Sequence, residues 1–95
     1  MRRSKLESYE DVLQALVNKP LTFEHLMQAT NLDDALLKRC LDFLKKNSLV
    51  EERTVGKKTL YAITERGITV LKYFRELNSV LQITEEANKI PALLH

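Results

Sequence analysis

The chain has 95 residues, of which 44% are hydrophobic and 29% charged, with only 2 Gly and 2 Pro; this balance is typical of one folded, helix-rich domain and excludes a disordered chain. The formal net charge of +2 is compatible with a nucleic-acid partner but excludes a protein that coats nucleic acid by charge alone. No apolar run reaches the ~18 residues of a membrane span, so we expect a soluble, cytoplasmic protein.

The first predicted element is an amphipathic helix over residues 4–18, because its apolar residues recur three and four apart. Pro20 ends this helix, since proline lacks an amide hydrogen and forces the preceding residue out of helical geometry. Leu21 is then a short extended link. Thr22 is suited to cap a second helix over residues 23–29.

A third helix is predicted close behind the second, after a break at residues 30–32. Asp33 can cap it, and it extends to Lys46. Two short helices joined by about three residues are typical of a helix-turn-helix. Asn47 is expected to end the third helix in a left-handed conformation. The apolar stripe of this helix comprises Leu36, Leu37, Cys40, Leu41 and Leu44, and its other face is basic.

A β-hairpin and a long helix complete the predicted elements. Residues 49–54 and 59–64 are rich in β-branched and apolar side chains and predict two strands, joined by a basic tip at residues 55–58. Thr64 can cap a last helix that extends to Lys89 and is stopped by Pro91. Ile68 and Leu71 are expected to face the parent domain.

The order of these elements is that of a winged helix, in which the third helix enters the major groove of DNA and the hairpin wing lies beside the phosphate backbone. We therefore predict a mainly α fold with a small β-hairpin: a winged helix-turn-helix domain over residues 1–66 and a long C-terminal dimerisation helix over residues 67–90. Residues 91–95 are predicted to form a short tail.

Three segments carry a resemblance to a known family: residues 31–44 (NLDDALLKRCLDFL), residues 49–52 (LVEE) and residues 61–67 (YAITERG). Together they resemble archaeal single-domain winged-helix DNA-binding proteins, a group that includes the ten-kilodalton chromatin-associated proteins. The resemblance covers about residues 6–85, and residues 61–67 are its most specific part. It implies dimerisation through an antiparallel coiled coil formed by the last helix.

The candidate DNA-binding residues lie on the third helix and at the hairpin tip. Arg39 is the candidate for a base contact, because its planar fork suits a guanine edge as well as a phosphate. Lysines on the helix flanks and at the tip are expected to touch phosphates. The alternative is that these cations only solubilise the surface, and the same choice applies to Arg2, Arg3 and Lys5. The predicted DNA-contacting set is Lys38, Arg39, Lys45, Lys57 and Lys58.

The candidate dimer interface lies on the last helix, which is longer than the small domain on which its first turns pack. Apolar residues alternate four and three apart along it, as in a coiled-coil seam. The alternative is a helix folded wholly onto its own domain. The predicted interface residues are Val70, Phe74, Leu77, Leu81 and Thr84.

No group of residues predicts catalysis, a metal or a cofactor. Cys40 is the only cysteine, and His25 and His95 have no companions at ligand spacing. On the buried stripe, Cys40 is expected to act as a small hydrophobic residue, with a redox sensor as the alternative. Asp33 and the neighbouring Asp34 weigh against tight DNA binding, since they face the same phosphates as the helix amides.

The sequence thus predicts a non-enzymatic protein that binds double-stranded DNA as a homodimer and acts as a transcriptional regulator or a chromatin-associated, nucleoid-located protein. No membrane or small-molecule partner is expected. The alternative function is a winged-helix module that docks another protein, with its basic residues serving only solubility.

Overall fold

The structure is a computed structural model that describes residues 4–89, with side chains as far as Leu77. It confirms the mainly helical chain with one two-stranded antiparallel hairpin. The predicted stop at Pro91, the tail over residues 91–95, and the basic residues Arg2 and Arg3 lie outside the described residues. The elements are α1 (Lys5–Leu16), α2 (Phe23–Thr30), α3 (Asp34–Lys46), β1 (Val50–Val55), β2 (Lys58–Ile63) and α4 (Glu65–Lys89).

The helix starts follow from local side-chain chemistry. Each helix is preceded by a short polar residue whose side-chain oxygen accepts a hydrogen bond from the amide three residues further on. This bond satisfies one of the amides that have no partner inside the helix. The capping residues are Ser4, Thr22, Asp33 and Thr64.

The end of α3 differs from the expectation. Asn31 takes the left-handed conformation after α2, with a φ of 58°, but Asn47 has a φ of −96° and the left-handed residue is Ser48, with a φ of 62°. The Asn47 side chain instead donates to the carbonyl oxygen of Phe43, at 2.8 Å. The carbonyl oxygen of Ser48 accepts a hydrogen bond from the Thr64 hydroxyl, at 2.7 Å, so a contact from outside the helix helps to set this turn.

The hairpin pairs β1 with β2 in a register that runs from Val50 opposite Ile63 to Val55 opposite Lys58. Gly56, in the turn, has a φ of 63°, a conformation that glycine adopts at little cost. The extended link at Leu21 joins the other edge of β2: its amide donates to the Tyr61 carbonyl at 3.0 Å, and the Tyr61 amide donates back at 2.8 Å. The hairpin is therefore anchored to the segment between α1 and α2.

The core lies between the first three helices, the hairpin and the first turns of α4. Leu13, Leu37 and Leu44 are fully buried in it, and Leu71 brings α4 onto the domain as expected. Ile68 was expected beside Leu71 but is 41% exposed. The 25 residues of α4 span about 37 Å at 1.5 Å per residue, well beyond the turns that carry Leu71.

Gly67 is required by the close approach of α4 to the start of the hairpin. A Cβ atom at this position would lie 2.2 Å from the Leu49 carbonyl oxygen and 2.7 Å from the Cγ1 atom of Ile63. The Leu49 oxygen is already fixed, because it accepts a hydrogen bond from the Thr64 amide at 3.1 Å. Only glycine fits between these groups.

Candidate nucleic-acid interface

The outward face of α3 is a single line of four exposed residues. These residues are spaced four, three and four apart, which places them on one face of a helix. They lie opposite the side chains that α3 buries, Leu37, Cys40, Leu41 and Leu44. The line, called the α3 outer face below, comprises Ala35, Arg39, Asp42 and Lys46.

Lys38 lies on a flank of α3 and pairs with an acid of its own helix. Its Nζ atom is 3.0 Å from Oδ2 of Asp34, four residues earlier, and both side chains are more than half exposed. Exposed pairs of this kind stabilise a protein by about 0.2–1 kcal/mol. Asp34, which the sequence places in the first turn of α3, is therefore also the counter-charge of a predicted phosphate contact.

Lys45 lies on the same flank as Lys38 and pairs with the wing. Its Nζ atom donates to Oε1 of Glu52 on β1, at 2.5 Å. This hydrogen bond raises the pKa of Lys45. Glu52 lies opposite Tyr61 in the hairpin; burial, and then the charge of Glu52, raise the pKa of Tyr61. The contact joins the last turn of α3 to the wing and occupies Lys45.

Arg39 and Lys46, in contrast, are exposed and form no ion pair within the part of the chain that the structure describes. Lys46 was not among the predicted contacts, although its spacing of seven residues from Arg39 places it on the same face. Asp42 lies between them and forms no ion pair with a described residue either; its charge reaches Lys45 only at longer range. The α3 outer face therefore carries two cations that are unpaired within residues 4–77, with one carboxylate between them.

The hairpin turn presents Lys57, and Lys58 begins β2. Neither lysine pairs with an acid among residues 4–77, and both are exposed. Lys58 also lines a shallow groove with Thr22 and His25, at the start of α2. Arg53 of the wing is occupied, because its guanidinium donates two hydrogen bonds to Oε1 of Glu51, at 2.7 and 3.0 Å.

The residues predicted for the dimer interface divide into three groups. Val70 and Phe74 are half-buried and pack against the core of their own domain, whereas Leu77 is 51% exposed. Leu81 and Thr84 lie on the part of α4 whose side chains are not described. Tyr73, which was not among the predicted interface residues, is 65% exposed one turn before Leu77. Its spacing of four residues from Leu77 is the sequence signal that indicates it.

Two further findings concern the described residues alone. They contain no group of three or more side chains suited to hold a metal ion, and none of their helices combines the length and the apolarity that a membrane span requires.

Cys40 is buried, and this burial raises the pKa of its thiol. The position of Cys40 in the core agrees with the expectation that it packs as a small hydrophobic residue.

A helix-turn-helix followed by a two-stranded wing and a further helix defines a winged-helix protein. The sequence agrees with this fold, because residues 2–82 match the family model described as winged helix-turn-helix. The chain belongs to this family.

Solved structures share the fold at low sequence identity. Sso10a-2, a DNA-binding protein from Sulfolobus solfataricus, is similar with a TM-score of 0.74 and 22% identity over 98% of both chains. The reduced transcriptional regulator YodB from B. subtilis is similar with a TM-score of 0.68 and 22% identity, over 83% of this chain and 90% of YodB. A transcriptional regulator from Clostridium thermocellum is similar with a TM-score of 0.77 and 16% identity, over 90% of this chain and 96% of the regulator. No curated protein sequence matches the chain.

Proposed function

We propose that this protein binds double-stranded DNA as a homodimer and acts as a transcriptional regulator or a chromatin-associated protein. The observation that carries the proposal is the α3 outer face, on which Arg39 and Lys46 are exposed and form no ion pair among residues 4–77. In a winged helix this face of the third helix is the one that enters the major groove. Arg39 takes a base edge or a phosphate, and Lys46 takes a phosphate.

The wing supplies the second part of the proposed interface. Lys57 and Lys58 bind the phosphate backbone beside the groove that α3 occupies, and they carry no sequence information. Lys38 and Lys45 remain candidate phosphate contacts, but each must first leave its acid. The functions of three proteins of similar structure support the DNA-binding proposal: Sso10a-2 is a DNA-binding protein, and the other two are transcriptional regulators.

The modest net charge favours a regulator over an abundant architectural protein. The chain carries 15 basic and 13 acidic residues, and its acids neutralise two of the three lysines of α3. A protein that covers DNA without regard to sequence depends on phosphate contacts for nearly all its affinity. Among the described residues of α3 and the wing, only Arg39, Lys46, Lys57 and Lys58 are cations without an ion pair. Base contacts are therefore expected to contribute a larger share of the binding.

The homodimer is proposed to form through the distal part of α4. Tyr73 and Leu77 expose apolar surface one turn apart, and in sequence Val80, Leu81 and Thr84 continue this spacing along the helix. A small domain of this size buries a modest core, so a second copy adds stability as well as apolar cover. Val70 and Phe74, which pack on their own domain, contribute at most the rim of this interface.

Salt-dependent binding to a random-sequence duplex tests the proposal. The binding constant is expected to fall steeply with salt, with a slope of about −0.9 in log–log coordinates for each phosphate neutralised. Lys57→Ala with Lys58→Ala should flatten this slope. The matched control is Lys19→Ala with Lys72→Ala, which removes the same charge from exposed positions outside α3 and the wing.

Two outcomes would reject the assignment. If the parent chain fails to bind duplex DNA even at low salt, the DNA-binding proposal is wrong and the protein-docking module becomes the better description. If the wing variant and its control change the slope equally, DNA binding takes place on another surface.

A further inference from the structure

Asp42 is at the centre of the α3 outer face, three residues after Arg39 and four before Lys46. These spacings favour ion pairs on a helix, yet Asp42 pairs with neither cation among the described residues, whereas Asp34 and Glu52 do pair with lysines. Asp42 is exposed. Among residues 4–77, Asp34 and Glu52 thus have ion-pair partners, whereas Asp42 has none.

A free carboxylate on this face has an electrostatic cost. Phosphates line both sides of the groove that α3 is proposed to enter, and a carboxylate there weakens phosphate-driven binding to every duplex. The cost is offset only if the carboxylate accepts a hydrogen bond from a donor in the groove. Asp42 therefore favours DNA that presents such a donor and disfavours DNA that does not.

The major groove offers few suitable donors. Guanine presents only the acceptors N7 and O6, and thymine presents the O4 acceptor and a methyl group. Adenine has an N6 donor, but its N7 acceptor lies beside that donor and repels a carboxylate. Cytosine presents the N4 amino group and no acceptor of its own in the major groove, and carboxylates accept a hydrogen bond from this group.

We propose that Asp42 is a specificity-determining residue that selects cytosine through its N4 amino group, while Arg39, one helical turn away, takes guanine. The proposal rests on the DNA binding proposed above and adds the identity of the bases. A binding site for this chain thus contains a G·C pair that Asp42 and Arg39 read together, or two G·C pairs close to each other.

Selection from a pool of randomised duplexes tests the assignment. The parent chain is expected to enrich duplexes that share a cytosine at one position. Replacing this cytosine with another base should weaken binding by about 5- to 150-fold, the usual range for one mismatched base pair. Asp42→Ala should lose this preference and bind random-sequence duplex more tightly than the parent does. Asp42→Asn should shift the position toward adenine, because the amide matches the N6 and N7 groups of that base.

The matched controls are Asp34→Asn on the same helix and Glu76→Gln on α4, which change the net charge equally. Both variants should retain the parent's preference for cytosine, even where they raise the affinity for random-sequence duplex. The assignment is overturned if Asp42→Ala and Asp42→Asn enrich the same sequences as the parent, or if the controls lose the cytosine as well. Absence of binding by the parent would instead reject the DNA-binding proposal itself, and thermal unfolding of each variant confirms that it is folded.

Discussion

The Nζ atom of Lys45 lies 2.5 Å from Oε1 of Glu52, so the last turn of α3 and the first strand of the wing are joined by a charged hydrogen bond. The two residues are seven apart in sequence, on either side of the turn at Ser48. The bond links α3 to the wing and pairs a lysine that the sequence predicts to contact DNA. We therefore expect neighbouring lysines of α3 to contribute unequally to the proposed DNA binding.

Lys45→Ala and Lys46→Ala are therefore expected to behave differently. Lys46→Ala should reduce the magnitude of the salt slope on random-sequence duplex by about 0.9, the value for one lost phosphate contact, because Lys46 has no counter-charge among the described residues. Lys45→Ala should leave the slope near the parent value and lower the free energy of unfolding by about 0.2–1 kcal/mol. Equal flattening by both variants would show that Lys45 leaves Glu52 to bind DNA.

Leu77→Glu combined with Leu81→Glu is expected to convert the proposed dimer into monomers. Leu77 is half exposed on α4, and two carboxylates in an apolar seam are costly to bury. Sedimentation equilibrium should give half the parent mass. The control is Lys72→Glu, an exposed position on α4, and an unchanged mass for the double variant would refute this interface.

Phe74→Ala provides the complementary measurement on the same helix. Because Phe74 packs against the core of its own domain, its truncation should lower the free energy of unfolding. The loss should fall below the 3–5 kcal/mol of a fully buried phenylalanine, since this side chain is only half-buried. The variant should retain the dimer mass at concentrations where the parent is dimeric. Dissociation without loss of domain stability would place Phe74 in the seam instead.

Gly67→Ala is expected to destabilise the domain, although alanine ordinarily stabilises a helix relative to glycine. The new Cβ atom would collide with the Leu49 carbonyl oxygen, 2.2 Å away, which cannot retreat without losing its bond from Thr64. Overpacking of this kind costs about 1–3 kcal/mol. Urea denaturation should detect it, and Thr69→Ala, at an exposed position of the same helix, should change stability far less.

The buried thiol of Cys40 predicts a loss of stability at alkaline pH. Burial raises its pKa above the ordinary value of 9.0, so the unfolded chain ionises first. The contribution of the thiol is fully present below about pH 9 and is lost as the pH rises from there through the raised value, by at most about 1.4 kcal/mol per pH unit. Urea denaturation at several pH values, compared with Cys40→Ala, isolates this effect. A stability difference independent of pH between 8 and 10 would contradict it.

The elements that local chemistry controls could be predicted from the sequence. Thr22, Asp33 and Thr64 each cap the helix that follows, because a cap depends only on the next three residues. The sequence predicts Asn47 as the left-handed residue after α3, whereas the structure has Ser48 in this conformation. A hydrogen bond from Thr64, 16 residues away, acts on this turn. Local preference favours asparagine there, and a tertiary contact overrides it.

The sequence predicts which side of α3 is exposed, but it does not predict which of the charged residues there form ion pairs. Periodicity places Arg39 on the exposed side of α3, because the opposite side must be apolar. The contact of Lys45 with Glu52 depends on how the wing packs against the helix, which no local pattern reveals. The sequence likewise predicts that Ile68 faces the domain and that Val70 lies in the dimer interface. Both residues are apolar, and only the packing decides that Val70 contacts the core while Ile68 is exposed.

The bridge between Leu21 and Tyr61 has a consequence for how the protein avoids association through its sheet. A hairpin has two edges, and an open edge is a template for strand addition from another chain. The bridge covers the edge of β2 at its middle, while three consecutive charged residues, Glu51, Glu52 and Arg53, occupy β1. Charged edge strands oppose edge-to-edge pairing. Both edges of the wing therefore oppose the addition of a strand from another chain.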